Sequence, residues 1–141
     1  MLQFVALGDT LALAQAYARA VDDRDFALLA RLLRPDVRVA GPGFESTSRD
    51  AFFDTLKILD RYQATYHLVG NHSGEWDGNE FCGDTYCVAS HLYSNGGGVR
   101  KFDMGIRYAD RIVRDGAQLQ FRERILRVVW TQDLAATIGM P

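Results

Sequence analysis

Three side chains in this sequence have the types and the spacing to move a proton: His67, His91 and Asp22. His67 sits in Thr65-Tyr66-His67-Leu68-Val69-Gly70-Asn71, an uncharged stretch that reads as a strand, and two-residue periodicity puts Val69 and Asn71 on its face. A lone imidazole on a face expected to be buried is ordinarily a core histidine satisfied by its neighbours. What favours chemistry here is the company it keeps. His91 lies on the next strand-like run; it falls twelve residues after Asn79 and His67 eleven before Gly78, so the hairpin between them makes the two near neighbours. Asp22 falls at the end of a helical pattern, where Asp25 is better placed to cap the next helix, which leaves Asp22 for other work. A neutral imidazole held by a carboxylate keeps one tautomer and gains basicity, and an unperturbed pKa of about 6.5 suits proton abstraction near neutral pH. His72 has the opposite parity to His67 and is expected at the surface or an edge. Two histidines and a carboxylate could also hold a metal as a facial triad. The sequence has neither a His-x-His arrangement nor a cysteine spaced with a histidine as zinc sites require, so the expected site uses no metal.

The elements that must position these groups fall into two halves. Asp9 or Thr10 can cap a helix that runs through Val21, with Leu13, Ala16, Tyr17, Ala20 and Val21 as its apolar stripe. A second helix is expected from Phe26 to about Leu33 and is stopped by Arg34-Pro35-Asp36; Val37-Arg38-Val39-Ala40 then alternates like a short strand until Gly41-Pro42-Gly43. Thr47-Ser48-Arg49-Asp50 has capping-box spacing and opens a third helix carrying Phe52, Phe53, Leu56 and Leu59. Four long strands are expected after it, about Thr65 to Trp76, Glu80 to Ser94, Val99 to Arg114 and Gln118 to Thr131. The turns between them are Asp77-Gly78-Asn79, Asn95-Gly96-Gly97-Gly98 and Asp115-Gly116. Consecutive hairpins make an antiparallel meander, and helices segregated before it give an α+β layout. Strands this long must bulge or bend, with Gly70, Gly83 and Gly105 as bend points, so the sheet is expected to roll into a cone with a pocket beneath the helices.

Composition sets the kind of partner. The 141 residues, 48% of them hydrophobic, suit one domain with a single core and a cavity inside it. Sixteen basic residues against eighteen acidic give a net charge of −2, which offers no electrostatic footprint for nucleic acid or an anionic membrane; a small neutral or weakly charged partner fits better. Cys82 and Cys87 lie five residues apart on one strand and point to opposite faces, so no disulfide framework is expected and a cytoplasmic location is the simplest. The apolar opening Met1–Leu7 is too short for a signal peptide or a membrane span.

Tyr17 to Phe26, Thr65 to Asn71, Gly83 to His91 and Arg122 to Trp130 together resemble the SnoaL-like branch of the nuclear transport factor 2-like superfamily, over roughly residues 9–131. Within it the pattern is similar to the scytalone dehydratases, with the hexachlorocyclohexane dehydrochlorinases as relatives. The resemblance implies an α+β conical barrel, a curved and mainly antiparallel sheet with three N-terminal helices packed on its concave face. It also implies a deep apolar pocket and cofactor-free elimination by an aspartate–histidine pair, with the aspartate at Asp22 and the histidines at His67 and His91. The dehydratase pattern has two pocket tyrosines where this chain has Val21 and about Gly41, and an asparagine at about Met104. A homo-oligomer, dimer or trimer, is expected by the same analogy.

The reading that results is a dehydratase-like lyase. His67, oriented by Asp22, removes a proton next to an activating group of a cyclic or aromatic substrate, and His91 protonates or polarises the departing oxygen. Tyr17, Phe44, Phe53, Leu56, Met104, Tyr108 and Trp130 are the expected substrate-binding wall, with Phe52 also a candidate. Asp103 is expected on the outside, and Arg122, Arg124 and Arg127 at a solvated sheet edge or an oligomer contact. The alternatives are a non-catalytic ligand-binding domain, and an isomerase or hydrolase on the same fold.

Overall fold

Helix termini in this chain are set by local hydrogen bonds. The computed structural model describes residues 10–139, so Met1–Leu7 and the candidate cap Asp9 lie outside the described residues. Helix α1 (Thr10–Asp22) closes through two backbone bonds, from Asp25 N to the Ala20 carbonyl at 2.8 Å and from Arg24 N to the Val21 carbonyl at 3.1 Å. This is a Schellman ending, and the left-handed residue it requires is Arg24, at φ +53°. Asp25 accepts the Leu28 N–H at 2.9 Å and starts α2 (Phe26–Leu32). Helix α3 (Arg49–Leu56) is capped by Ser48, which accepts the Ala51 N–H, and runs into a 3-10 turn over Lys57–Arg61 that carries Leu59.

Six strands follow the turn chemistry and the apolar alternation: β1 (Leu33–Gly41), β2 (Phe44–Ser46), β3 (Ala64–Asp77), β4 (Glu80–Ser94), β5 (Val99–Asp115) and β6 (Gln118–Ala135). They form one sheet in the order β2-β1-β6-β5-β4-β3. The three expected hairpins β3–β4–β5–β6 are antiparallel. Strand β1 begins at Leu33 rather than Val37, and it pairs parallel to β6. Its register breaks between Leu33 and Arg38, where Pro35 has no N–H to give to the ladder.

The conical barrel expected above does not form. The sheet is mixed and open, with β2 and β3 as free edges. Closure would need those two strands to pair, yet β2 has three residues and β3 fourteen. Helices fill the space between them: α1 packs against β3, and α3 against β1 and β2. The curvature comes from irregular pairing at three places, between Val69 and His72 of β3, beside Gly105 and Ile106 of β5, and beside Arg111 and Ile112 of β5.

The bulge in β3 corrects a second expectation. Val69 pairs with Cys87 but His72 with Thr85, so one extra residue switches parity and turns His72 inward. Its ring stacks on Phe81 at 5.4 Å, with Nδ1 2.9 Å from the Thr85 hydroxyl and Nε2 2.8 Å from the Thr10 hydroxyl. Asn71, expected on the face of His67, is turned to the outer side for the same reason and borders an open groove there.

Arg124 corrects a third. It is 1% exposed, the largest fully buried side chain, and makes a two-pronged pair with Asp110 at 2.7 and 3.0 Å. Its guanidinium lies 3.7 Å from the ring centre of Tyr108 and 4.3–4.5 Å from those of Phe121 and Tyr17. Thr85 donates at 2.7 Å to Asp110 Oδ2, the oxygen that also accepts from Arg124 Nη2, so the chain Thr10, His72, Thr85, Asp110, Arg124 is a continuous polar thread through the core. Arg122 and Arg127 are exposed, as expected. Asp103 lies on the outer face but is buried, accepting from Ser90 at 2.6 Å and paired with Lys101. The outer face also exposes Tyr66, Leu68, Val129 and Trp130. Among the described residues no helix is long and apolar enough to cross a membrane.

Candidate active site

Asp22 ends α1 with its carboxylate against β3. Oδ1 takes the Nδ1–H of His67 at 2.6 Å and the Thr65 hydroxyl at 2.9 Å, and Oδ2 takes the backbone N–H of His67 at 2.9 Å. Burial alone would raise this carboxyl group. The hydrogen bonds from the side chain and backbone of His67, and then from Thr65, outweigh it and hold the group below the ordinary carboxylate value. The aspartate is therefore ionised, which fixes the imidazole as the Nδ1–H tautomer and turns Nε2 away from α1. The His67 side chain is 9% exposed.

His91 occupies the next strand, one pair diagonally from His67, because Thr65 pairs with His91 and Ala89 with His67. The two rings are 6.1 Å apart at 74°. His91 is buried and gives its Nδ1–H to the Phe102 carbonyl at 3.0 Å, leaving Nε2 as its second polar atom. Burial pushes its pKa below 6.5 against the upward pull of that carbonyl. The neutral ring thus presents an acceptor at Nε2, not a donor. Tyr62 packs beside it with ring centres 4.9 Å apart.

Both imidazoles line a cavity of about 390 Å³ bordered by α1, α3, the 3-10 turn, the β1–β2 turn and the inner faces of β3, β4, β5 and β6. Of the residues expected on the wall, Tyr17, Phe44, Leu56, Met104, Tyr108 and Phe52 line it. Two do not. Phe53 lies behind the cavity wall, edge-on to Phe26 at 5.2 Å. Trp130 is on the opposite face of the sheet, because the extra residue in β6 beside Gly105 sets it across that glycine; a Cβ there would meet the indole at 2.1 Å. Tyr62, Phe102, Ile58 and Leu59 line the cavity without having been expected on its wall; of these only Leu59 was named in the sequence, on the apolar face of the third helix. Phe102 could have been found by carrying the parity of Met104 back by two; Tyr62 lies where helix gives way to strand and no periodicity applies. Val21 and Met104 also line the cavity, so its wall is apolar where the dehydratase pattern is polar. Among the described residues no three His, Cys, Asp or Glu side chains gather as metal ligands.

Solved structures with this architecture include a protein from Novosphingobium aromaticivorans provisionally described as a scytalone dehydratase, 25% identical over 93% of this chain and 89% of its own, with a TM-score of 0.79. A type 2 hexachlorocyclohexane dehydrochlorinase is 16% identical over 92% of this chain and 88% of its own, with a TM-score of 0.79. The type 3 enzyme from Novosphingobium barchaimii is 17% identical over 92% of this chain and 90% of its own, with a TM-score of 0.77. At those identities the two dehydrochlorinases speak to the fold alone. No curated protein matches the sequence. The SnoaL-like domain model matches residues 9–125, from the start of α1 into β6 and so across every element that builds the cavity, and the chain belongs to that family within the nuclear transport factor 2-like superfamily.

Proposed function

We propose that this chain is a cofactor-independent lyase that eliminates water, or a comparable leaving group, from a small hydrophobic cyclic or aromatic substrate. The observation that carries the reading is the two-point hold of Asp22 on His67, which leaves Nε2 as the free lone pair of a fixed tautomer beside an apolar cavity. The 25% identity to the protein provisionally described as a scytalone dehydratase supports the same reading.

In the proposed cycle, Nε2 of His67 takes a proton from a carbon next to an activating carbonyl or aromatic group, and Asp22 stabilises the imidazolium that forms. The electron pair of that C–H bond becomes the new double bond as the carbon–oxygen bond breaks. His67 then hands its proton to the departing hydroxide, which leaves as water and returns the ring to its starting state. His91 holds a substrate hydroxyl by accepting its hydrogen bond at Nε2, in place of the general-acid role expected from sequence, since a neutral His91 has no second N–H to give. The apolar wall raises the strength of each of these interactions by keeping bulk water away.

The test is a panel of cyclic and aromatic β-hydroxy ketones and alcohols, followed for loss of water by mass and for wash-in of solvent deuterium at the acidic carbon. Turnover that vanishes in His67→Ala, with cooperative unfolding retained, supports the assignment. Binding without turnover or deuterium exchange across the panel would sink it.

A further inference from the structure

Arg24 stands where a Schellman ending ordinarily has glycine, because a left-handed φ crowds the Cβ of any other residue. Its side chain offers a reason for the strain. Nη1 donates to the Thr65 hydroxyl at 2.9 Å and to the Val21 carbonyl at 2.5 Å, and Nη2 to the Leu59 carbonyl at 3.3 Å. The guanidinium thereby ties together the end of α1, strand β3 and the 3-10 turn that walls the cavity. It reaches Asp22 only through Thr65, and it is not itself part of the cavity lining.

A hydroxyl between a guanidinium, which can only donate, and an ionised carboxylate, which can only accept, has one orientation open to it. Arg24 occupies a lone pair of Thr65 Oγ1, and the hydroxyl hydrogen turns to Asp22 Oδ1, the same oxygen that receives the His67 Nδ1–H. Bonds in such a chain polarise one another and fix one another's geometry.

We propose that Arg24 is a positioning residue for the Asp22–His67 pair: from its left-handed backbone it orients the Thr65 hydroxyl onto the Asp22 carboxylate and so sets the angle at which that carboxylate holds the imidazole. The inference rests on the lyase reading for its consequence in turnover, but the positioning itself is independent of any substrate. The charged and titratable groups facing His67 are Asp22 from α1, Arg24 through Thr65, and His91 from β4.

The experiment is proton and nitrogen NMR of the folded protein labelled at histidine. The wild type is expected to give a slowly exchanging, low-field Nδ1–H signal for His67, assigned by its loss in His67→Ala. Arg24→Gly relieves the backbone strain while removing the guanidinium, so its melting temperature should hold up relative to Arg24→Ala, yet the Nδ1–H signal should broaden beyond detection. Thr65→Val, which keeps the guanidinium but removes the relay, should lose it as well. A wild-type signal in either variant overturns the proposal. Should Arg24→Gly fail to fold, Arg24→Asn decides: asparagine tolerates the left-handed backbone but carries no guanidinium, and an unchanged signal there overturns it too. Once a substrate is in hand, Arg24→Gly should lower kcat with KM little changed. A wild type that shows the signal but turns nothing over would remove the lyase reading and leave the positioning role standing.

Discussion

The carboxylate of Asp22 grips His67 at both ends, with one oxygen 2.6 Å from Nδ1 and the other 2.9 Å from the backbone N–H of the same residue. Ring and main chain are thus anchored together, and a substitution at Asp22 must disturb both. Asp22→Asn keeps the shape but can present an amide N–H to Nδ1, which favours the wrong tautomer. Turnover is expected to fall by about 10²–10⁴-fold, with KM moving far less. Steady-state kinetics on a substrate drawn from the panel checks it.

The same carboxylate makes stability depend on acid. Its folded-state pKa lies below 3.8, so its contribution is fully present above the unfolded value and fades as pH falls through the folded one. Urea midpoints of wild type and Asp22→Asn should therefore differ most near neutral pH and converge as pH falls through the folded-state value. A gap that stays constant with pH contradicts the ionised hydrogen-bonded aspartate.

His91 gives a window of the same sign at higher pH. Burial lowers its folded-state pKa below 6.5, so the unfolded chain binds a proton that the folded one refuses. Its neutral, buried state is fully accommodated above the unfolded pKa, and stability falls as pH drops below that value, by at most about 1.4 kcal/mol per pH unit for one proton. His91→Gln should flatten the wild-type slope below about pH 6.5. NMR titration of the His91 ring should also show its midpoint below 6.5.

The Arg124–Asp110 pair is closed off from solvent, so removing one partner strands the other charge. Arg124→Met is expected to cost about 3–5 kcal/mol by urea denaturation. Asp110→Asn combined with it should cost less than the two single changes summed. A single variant within about 0.5 kcal/mol of wild type would mean the pair is not buried as found.

The two faces of the sheet should respond differently to bulk. Met104→Trp fills the cavity, and binding of small apolar ligands should be lost. Trp130→Ala acts on the outer face and should leave binding within about twofold. Isothermal titration with any ligand from the panel separates the two. Loss of binding in Trp130→Ala would place that indole on the wrong face.

What the sequence determined by itself is what short-range chemistry decides. The turns at Asp77-Gly78-Asn79, Asn95 to Gly98 and Asp115-Gly116 need particular backbone angles, and they delimit β3 to β6 to within a few residues. Asp25 was legible as a cap, and Asp22, His67 and His91 as a set able to meet, because hairpin register is counted from the turn. Only the tertiary structure decided the rest, since each remaining feature depends on residues distant in the chain. One inserted residue in β3 turns His72 inward, and one in β6 puts Trp130 outside; no local pattern marks either. Arg124 reads as a surface charge until Asp110, Tyr17 and Tyr108 surround it, which takes a helix and a neighbouring strand to assemble. The open edge of the sheet has the same origin. Whether a curved sheet closes is settled by what fills the gap between its outer strands, and here α1 and α3 fill it.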